Sequence, residues 1–177
     1  MERIGIVFGC FIPLHEGHVR LINDAIREND TVIIAVCGYD DDRGRDFIPF
    51  SDRYELMCEK YKDDDKIRVV KVDDHKIGLT GLFDIQSWLI WSTELFNEHA
   101  KKYKPFVDEE AQVTWYTGEL RYVTKLSEIY KEDDFKYYGR HRINISGTKI
   151  REDYDSYKDT VDDIFRKYLE KKRNEKE

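Results

Sequence analysis

Cysteine, proline and long apolar runs are scarce in this sequence. Its three cysteines are an odd number without a CxxC pair, which disfavours a disulfide scaffold or a cysteine zinc site and predicts reduced thiols. No low-complexity stretch marks a linker, and no apolar run approaches the ~20 residues that span a bilayer. The chain opens on strand-like residues rather than a signal peptide. We therefore expect one cytoplasmic domain with no membrane partner.

Two common nucleotide-binding motifs are also missing. No GxGxxG follows the first apolar run, and GxxxxGK[ST] does not occur, so ordinary dinucleotide binding and a P-loop kinase are not indicated. The formal net charge of -7 disfavours nucleic acid and anionic membranes as partners. A nucleotide phosphate could still bind where a few cations converge.

Apolar runs alternate with helical patterns along the chain. Because parallel strands buried on both faces have continuous apolar sequences, this order predicts an α/β protein: a Rossmann-like doubly wound parallel sheet of about five strands with helices on both faces. The predicted strands are residues 3–8, 31–37, 67–72, 112–117 and 135–138. The predicted helices begin at 19 and 51, and others span 83–103, 146–152 and 157–172.

The loop after the first strand has the sequence GCFIPLHEGH, from Gly9 to His18. Gly9 allows a sharp turn, and Gly17 allows a ligand to approach the backbone at the start of the next helix. Free amides at a helix start bind anions, and His15 and His18 lie beside them, so the loop predicts a phosphate site. The spacing is one residue short of the HExxH zinc motif. A purely structural role for both histidines remains an alternative at this point.

A second stretch, ISGTKIR, lies near the C-terminus. Ser146 can cap a helix whose first turns carry Thr148 and Arg151, which together would form another anion site. A capped surface helix with a solvated arginine is the simpler alternative for this segment alone.

Together the two stretches resemble the HxGH and ISxTxxR motifs of the nucleotidylyltransferase superfamily. Residues 3 to 154 are similar in order to the nicotinamide mononucleotide (NMN) adenylyltransferase domain of NadR-type proteins, through IGIVFG, the loop GYDDDR, the DR helix start, WxxWS and ISGTxIR. Cys10 departs from this pattern, because relatives usually have a basic residue there. The resemblance implies a nucleotidylyltransferase domain at 1–154, followed at 155–177 by a helix packed on it with a frayed charged end.

The resemblance implies transfer of AMP from ATP to NMN, giving NAD and pyrophosphate. His18, His15 and Arg151 would be catalytic, with His18 at the α-phosphate, and Mg²⁺ would be held mainly by phosphates. The implied ATP-binding residues are Gly9, Phe11, His15, His18, Thr117, Gly118, Ser146, Thr148 and Arg151. The implied NMN-binding residues are Phe8, Trp91, Trp88, Asp40, Arg53 and Arg140, with Trp91 favoured over Trp88 for stacking on nicotinamide.

Two alternatives stay open for the function. One is a nucleotidylyltransferase with another acceptor, such as phosphopantetheine or a polyol phosphate. The other is a regulatory module that binds NAD or ATP without turnover. A class I tRNA synthetase shares the HxGH element but is far longer than 177 residues. A homo-oligomer stays open as an alternative to a monomer.

Overall fold

A computed structural model describes residues 1–73, 111–139 and 145–176. Within these residues five strands form one parallel sheet, in the order β3-β2-β1-β4-β5. The strands are β1 Arg3–Gly9, β2 Thr31–Gly38, β3 Ile67–Asp73, β4 Gln112–Thr117 and β5 Asp134–Tyr137. The predicted doubly wound parallel sheet is confirmed.

Helices connect the strands and complete the described part of the chain. They are α1 Glu16–Glu28, α2 Phe50–Tyr61, α3 Leu120–Ile129, α4 Gly147–Glu152, α5 Tyr154–Tyr157 and α6 Asp163–Glu175, with a 3-10 turn at Lys158–Thr160 between the last two. Helix α3 has no counterpart among the predicted helices. The predicted helix at 83–103 lies outside the described residues. None of the helices described here has the length and apolarity that a membrane crossing requires.

Alternating side chains bury both faces of the sheet. In β2, Val32, Ile34 and Val36 pack with α1, α2 and α6 on one face. Ile33, Ala35 and Cys37 point to the other face, where they pack in the cluster that contains Trp115 and Leu126. This two-sided burial explains why the strands have uninterrupted apolar sequences.

The C-terminal segment returns to the loop that follows β1. Val161 forms an isolated antiparallel bridge with His15, and the Asp162 amide donates to the carbonyl oxygen of Leu14 at 3.0 Å. The single helix predicted for 157–172 is therefore wrong, because the backbone extends at Val161 to make this pairing. Helix α6 then buries Phe165 and Leu169 in the same core as α1.

Candidate active site

The strand order reverses at β1, which lies between β2 and β4. Ligands of open α/β sheets bind outside the carboxyl ends of the strands at such a switch point. Here the two strand ends are Gly9 and Thr117. The Thr117 hydroxyl accepts a hydrogen bond from the Glu119 amide at 3.1 Å, and the Thr117 carbonyl oxygen accepts one from the Tyr138 amide at 2.9 Å. These two bonds fix the end of β4.

His15 and His18 cap helix α1 reciprocally. His15 is the residue before the helix, and its Nδ1 accepts from the Gly17 amide at 3.1 Å. His18 Nδ1 in turn accepts from the His15 amide at 3.3 Å. The two imidazole rings stack with their centroids 3.8 Å apart. The helix begins three residues earlier than predicted because these side chains satisfy its first amides.

The capping bonds also orient the chemistry of the two rings. A nitrogen that accepts an N–H carries no proton, so each neutral ring bears its proton on Nε2 and can donate from that atom. His15 is only 6% exposed, whereas His18 is half-buried. The His18 and Phe11 rings are nearly perpendicular, with their centroids 5.0 Å apart. The arrangement gives two adjacent Nε2 donors, of which His18 is the more accessible.

Ser146 caps α4 as predicted, its hydroxyl accepting from the Lys149 amide at 3.2 Å. Arg151, one turn into that helix, donates from Nη1 to the carbonyl oxygen of Ile12 at 2.7 Å and from Nη2 to the Thr148 hydroxyl at 3.2 Å. Ile12 belongs to the loop after β1. The structure thus joins the two motifs, separated by more than half the chain, at one hydrogen bond.

Gly147 makes this junction possible. A Cβ at position 147 would lie 2.7 Å from the Ile12 carbonyl oxygen and 2.9 Å from Arg151 Nη1. Real Cβ atoms essentially never approach a backbone atom so closely. The glycine between Ser146 and Thr148 therefore lets α4 come up against the loop after β1.

Nearby groups of both signs act on the Arg151 guanidinium. Burial lowers the pKa of its guanidinium, and the positive charge of Arg43 lowers it further. Cys10 and Glu152 act on this pKa in the opposite direction, and Arg53 adds a smaller lowering effect. An arginine remains charged despite such a shift, so this corner of the site concentrates positive charge in a protein whose net charge is negative.

Arg53 corrects the prediction of a substrate contact. It is 0% exposed, and its guanidinium is bound by the carboxylate of Asp42 and by the carbonyl oxygen of Ile48 at 2.8 Å. Asp42 also accepts from the amides of Tyr39 at 3.2 Å and Gly44 at 2.8 Å. Arg53 is therefore a structural residue that holds the loop after β2 through its buried ion pair.

The remaining predicted residues occupy different surroundings. Phe8 is half-buried at the end of β1 and packs edge-on against Trp115 and Tyr122, with centroids 5.9 Å and 5.3 Å away. Asp40 is exposed in the loop after β2, and Gly118 follows β4. Three predicted NMN contacts lie outside the described residues: Trp88, Trp91 and Arg140.

Two features of the site have no clear mark in the sequence. Arg43 lies in a run of charges that a solvated loop would explain equally well. The pairing of Val161 with His15 joins residues 146 positions apart, and no local pattern specifies such a contact.

The chain is similar to several known proteins. The family model described as cytidylyltransferase-like matches residues 6–153. The trifunctional NAD biosynthesis/regulator protein NadR of Salmonella typhimurium is 32% identical over 165 residues, covering 85% of this chain and 37% of NadR. The chain thus spans little more than a third of the length of that relative.

Two further proteins are similar to the chain. A NadR crystal structure in complex with NAD and AMP-PNP has a TM-score of 0.74 at 29% identity, over 93% of this chain and 46% of that one. The phosphopantetheine adenylyltransferase of Vesicomyosocius okutanii is 29% identical over 86 residues, 49% of this chain and 53% of that protein. Because the family model covers residues 6–153 of a chain of 177 residues, the protein belongs to the cytidylyltransferase-like family.

Proposed function

We propose that this protein is an NMN adenylyltransferase, which transfers AMP from ATP to NMN and releases pyrophosphate. The observation that carries the proposal is the junction of Arg151 with Ile12, which brings an arginine and a hydroxyl of α4 to the histidine loop. The similarity to NadR over most of the chain, and the NAD and AMP-PNP bound in a NadR structure, support a nicotinamide nucleotide as the acceptor.

The reaction needs no general base in this proposal. The 5'-phosphate of NMN is already an anion; its oxygen attacks the α-phosphorus of ATP, and the bond from that phosphorus to the oxygen bridging to the β-phosphate breaks. His18 donates from Nε2 to an α-phosphate oxygen as charge develops there, and His15 acts beside it on the phosphate chain. Orientation of the two reactants supplies a further part of the rate, in favourable cases about 7 to 11 kcal/mol.

The second motif binds the polyphosphate. Arg151 directs its guanidinium to the β- and γ-phosphates, and Thr148 and Ser146 contribute hydroxyl groups. Thr117 and Gly118 border the adenosine at the end of β4. The junction of the motifs supports this assignment, because it fixes Arg151 relative to the histidine loop.

Mg²⁺ accompanies ATP in the proposed reaction and neutralises phosphate charge when it is bound. Within the described part of the chain, no group of three or more histidine, cysteine, aspartate or glutamate side chains could hold a metal ion. We expect the ligands of this ion to be mainly phosphate oxygens and water, as is usual for Mg²⁺ with nucleotides.

Pyrophosphate release tests the proposal. The purified protein is incubated with ATP, Mg²⁺ and one acceptor at a time: NMN, nicotinic acid mononucleotide or phosphopantetheine. We expect NMN to drive release. The match to a phosphopantetheine adenylyltransferase makes phosphopantetheine the principal alternative, and release with that acceptor alone would replace the proposed substrate. Binding of ATP or NAD without release would instead favour a regulatory module.

The variant His18→Gln tests the proposed role of the His18 imidazole without removing the helix cap. Glutamine at this position of a capping box can still accept the His15 amide, so the helix start is kept while the imidazole is lost. We expect kcat to fall on the order of 10²- to 10³-fold, as for loss of one transition-state donor. Arg27→Ala, at the far end of the same helix, is the control and should retain native kcat.

A further inference from the structure

Ile12, in the loop after β1, contacts both the loop after β2 and the second motif. A Cβ at Gly44 would lie 2.7 Å from Ile12 Cδ1, so the backbone of this loop packs directly on the Ile12 side chain. The carbonyl of the same residue accepts the hydrogen bond from Arg151. The residue just before Gly44 is Arg43, which is exposed. Ile12 therefore joins three segments: the histidine loop, the loop after β2 and α4.

Three arginines lie near this point, and of the three only Arg53 has a carboxylate partner among the described residues. Arg53 is sealed in its pair with Asp42. Arg151 donates hydrogen bonds to two neutral oxygens, the Ile12 carbonyl and the Thr148 hydroxyl. No carboxylate pairs with Arg43 among the described residues, although Arg45 in the same loop pairs with Asp41 and Asp46.

The backbone around Arg43 is held in place. Asp42 accepts from the amides of Tyr39 and Gly44, which lie on either side of Arg43, and Asp42 is itself fixed by Arg53. After burial, the charge of Arg43 is the largest influence on the pKa of Arg151, so the two guanidinium groups interact electrostatically. Like charges that interact in this way repel one another, and a bound anion relieves that repulsion.

We propose that Arg43 is a second polyphosphate-binding residue, which acts with Arg151 on the β- and γ-phosphates of the nucleoside triphosphate. This inference rests on the proposed function, because it requires a triphosphate in the site. A multiply charged polyphosphate can engage two arginines that lie near the same residue, Ile12, better than a single phosphate can. Arg43 thus supplies discrimination between a nucleoside triphosphate and a nucleoside monophosphate.

Calorimetric titration with ATP and with AMP tests the assignment without turnover. For Arg43→Gln we expect ATP affinity to fall roughly tenfold or more, since a charge-assisted contact is lost. AMP affinity should stay within about twofold, because AMP lacks the phosphates that Arg43 binds. Arg43→Lys should keep most of the ATP affinity. Arg27→Gln, which removes one exposed arginine from the far end of α1, is the control and should bind ATP and AMP with native affinity. Melting curves establish that all variants fold.

The outcomes separate the two proposals. If the native protein binds ATP but Arg43→Gln binds it equally well, the role of Arg43 is overturned and the adenylyltransferase proposal stands. Equal losses for ATP and AMP would also overturn it, since Arg43 would then act on the α-phosphate or the fold. If the native protein neither binds ATP nor releases pyrophosphate, both proposals fall together.

Discussion

Arg151 Nη1 donates to the carbonyl oxygen of Ile12 across 2.7 Å, which joins the C-terminal motif to the loop after the first strand. The guanidinium is thereby held at a fixed point relative to the histidines that follow Ile12 in the chain. Without this bond a long, flexible arginine would lose about 2 kcal/mol of side-chain entropy on ordering at a bound phosphate. The junction therefore prepares Arg151 for anion binding.

Gly147→Ala should disrupt this preorganisation. The new methyl group would lie 2.7 Å from the Ile12 carbonyl oxygen, a backbone atom that cannot rotate away, so α4 must shift outward. A displacement of about 1 Å in a phosphate-binding group can lower the rate on the order of 10²-fold. We expect kcat/KM for pyrophosphate release to fall by that order, with the KM for ATP raised. Asp159→Ala, in the exposed 3-10 turn Lys158–Thr160, should leave both parameters unchanged.

His15 has a structural role as helix cap that can be separated from its proposed chemical role. His15→Asn replaces the imidazole by a residue that caps helices well, so the melting temperature should stay near the native value. His15→Ala removes the cap and should cost about 1 kcal/mol of unfolding free energy. We expect both variants to lose activity to a similar extent. If His15→Asn kept full pyrophosphate release, His15 would be a cap and nothing more.

The strands were predictable because their burial pattern is local. Continuous apolar runs such as Thr31–Gly38 indicate a strand covered on both faces, and the observed strand bounds agree with the predictions to within one residue at either end. The helix Leu120–Ile129 was missed because its tyrosine, valine and threonine residues favour strands over helices.

The two motifs of the candidate site are visible in the sequence, but the contacts that hold their residues in place are not. Histidine is not among the residues that usually cap helices, so the reciprocal cap of His15 and His18 could be seen only in three dimensions. The burial of Arg53 depends on the fold of an intervening loop that brings Asp42 to it. Most charged residues near a helix start are solvated, and nothing in the sequence indicates that Arg53 is buried.

The Asp42–Arg53 pair should make stability depend on pH. Burial alone would raise the pKa of Asp42, but hydrogen bonds from Arg53 and from the amides of Gly44 and Tyr39, with the charge of Arg53, outweigh it and lower the pKa. The folded pKa is then below the unfolded value of about 3.9, so this stabilisation is present above pH ~4 and is lost as the pH falls further.

Urea unfolding at several pH values measures this effect. At pH 7, Asp42→Asn should be clearly less stable than the native protein, since the buried guanidinium of Arg53 loses its counter-charge; breaking a buried pair costs about 3 to 5 kcal/mol. The difference between the two proteins should narrow as the pH falls below about 4, because native Asp42 then becomes protonated. A difference that stays constant over this range would show that Asp42 is not the titrating group.

The segment from Val161 onward should be required for the fold, although it follows both motifs. Val161 pairs with His15, and Phe165 and Leu169 lie in the core beside α1. Burial of each such side chain contributes about 1.5 to 3 kcal/mol, so the three together approach the whole stability of a small domain, which is about 5 to 15 kcal/mol. A chain ending at residue 160 should therefore lose its cooperative thermal transition, measured by circular dichroism. A chain ending at residue 170 keeps all three side chains and should melt near the native temperature. If the chain ending at residue 160 melted cooperatively at the native temperature, the fold would not require the segment from Val161 onward.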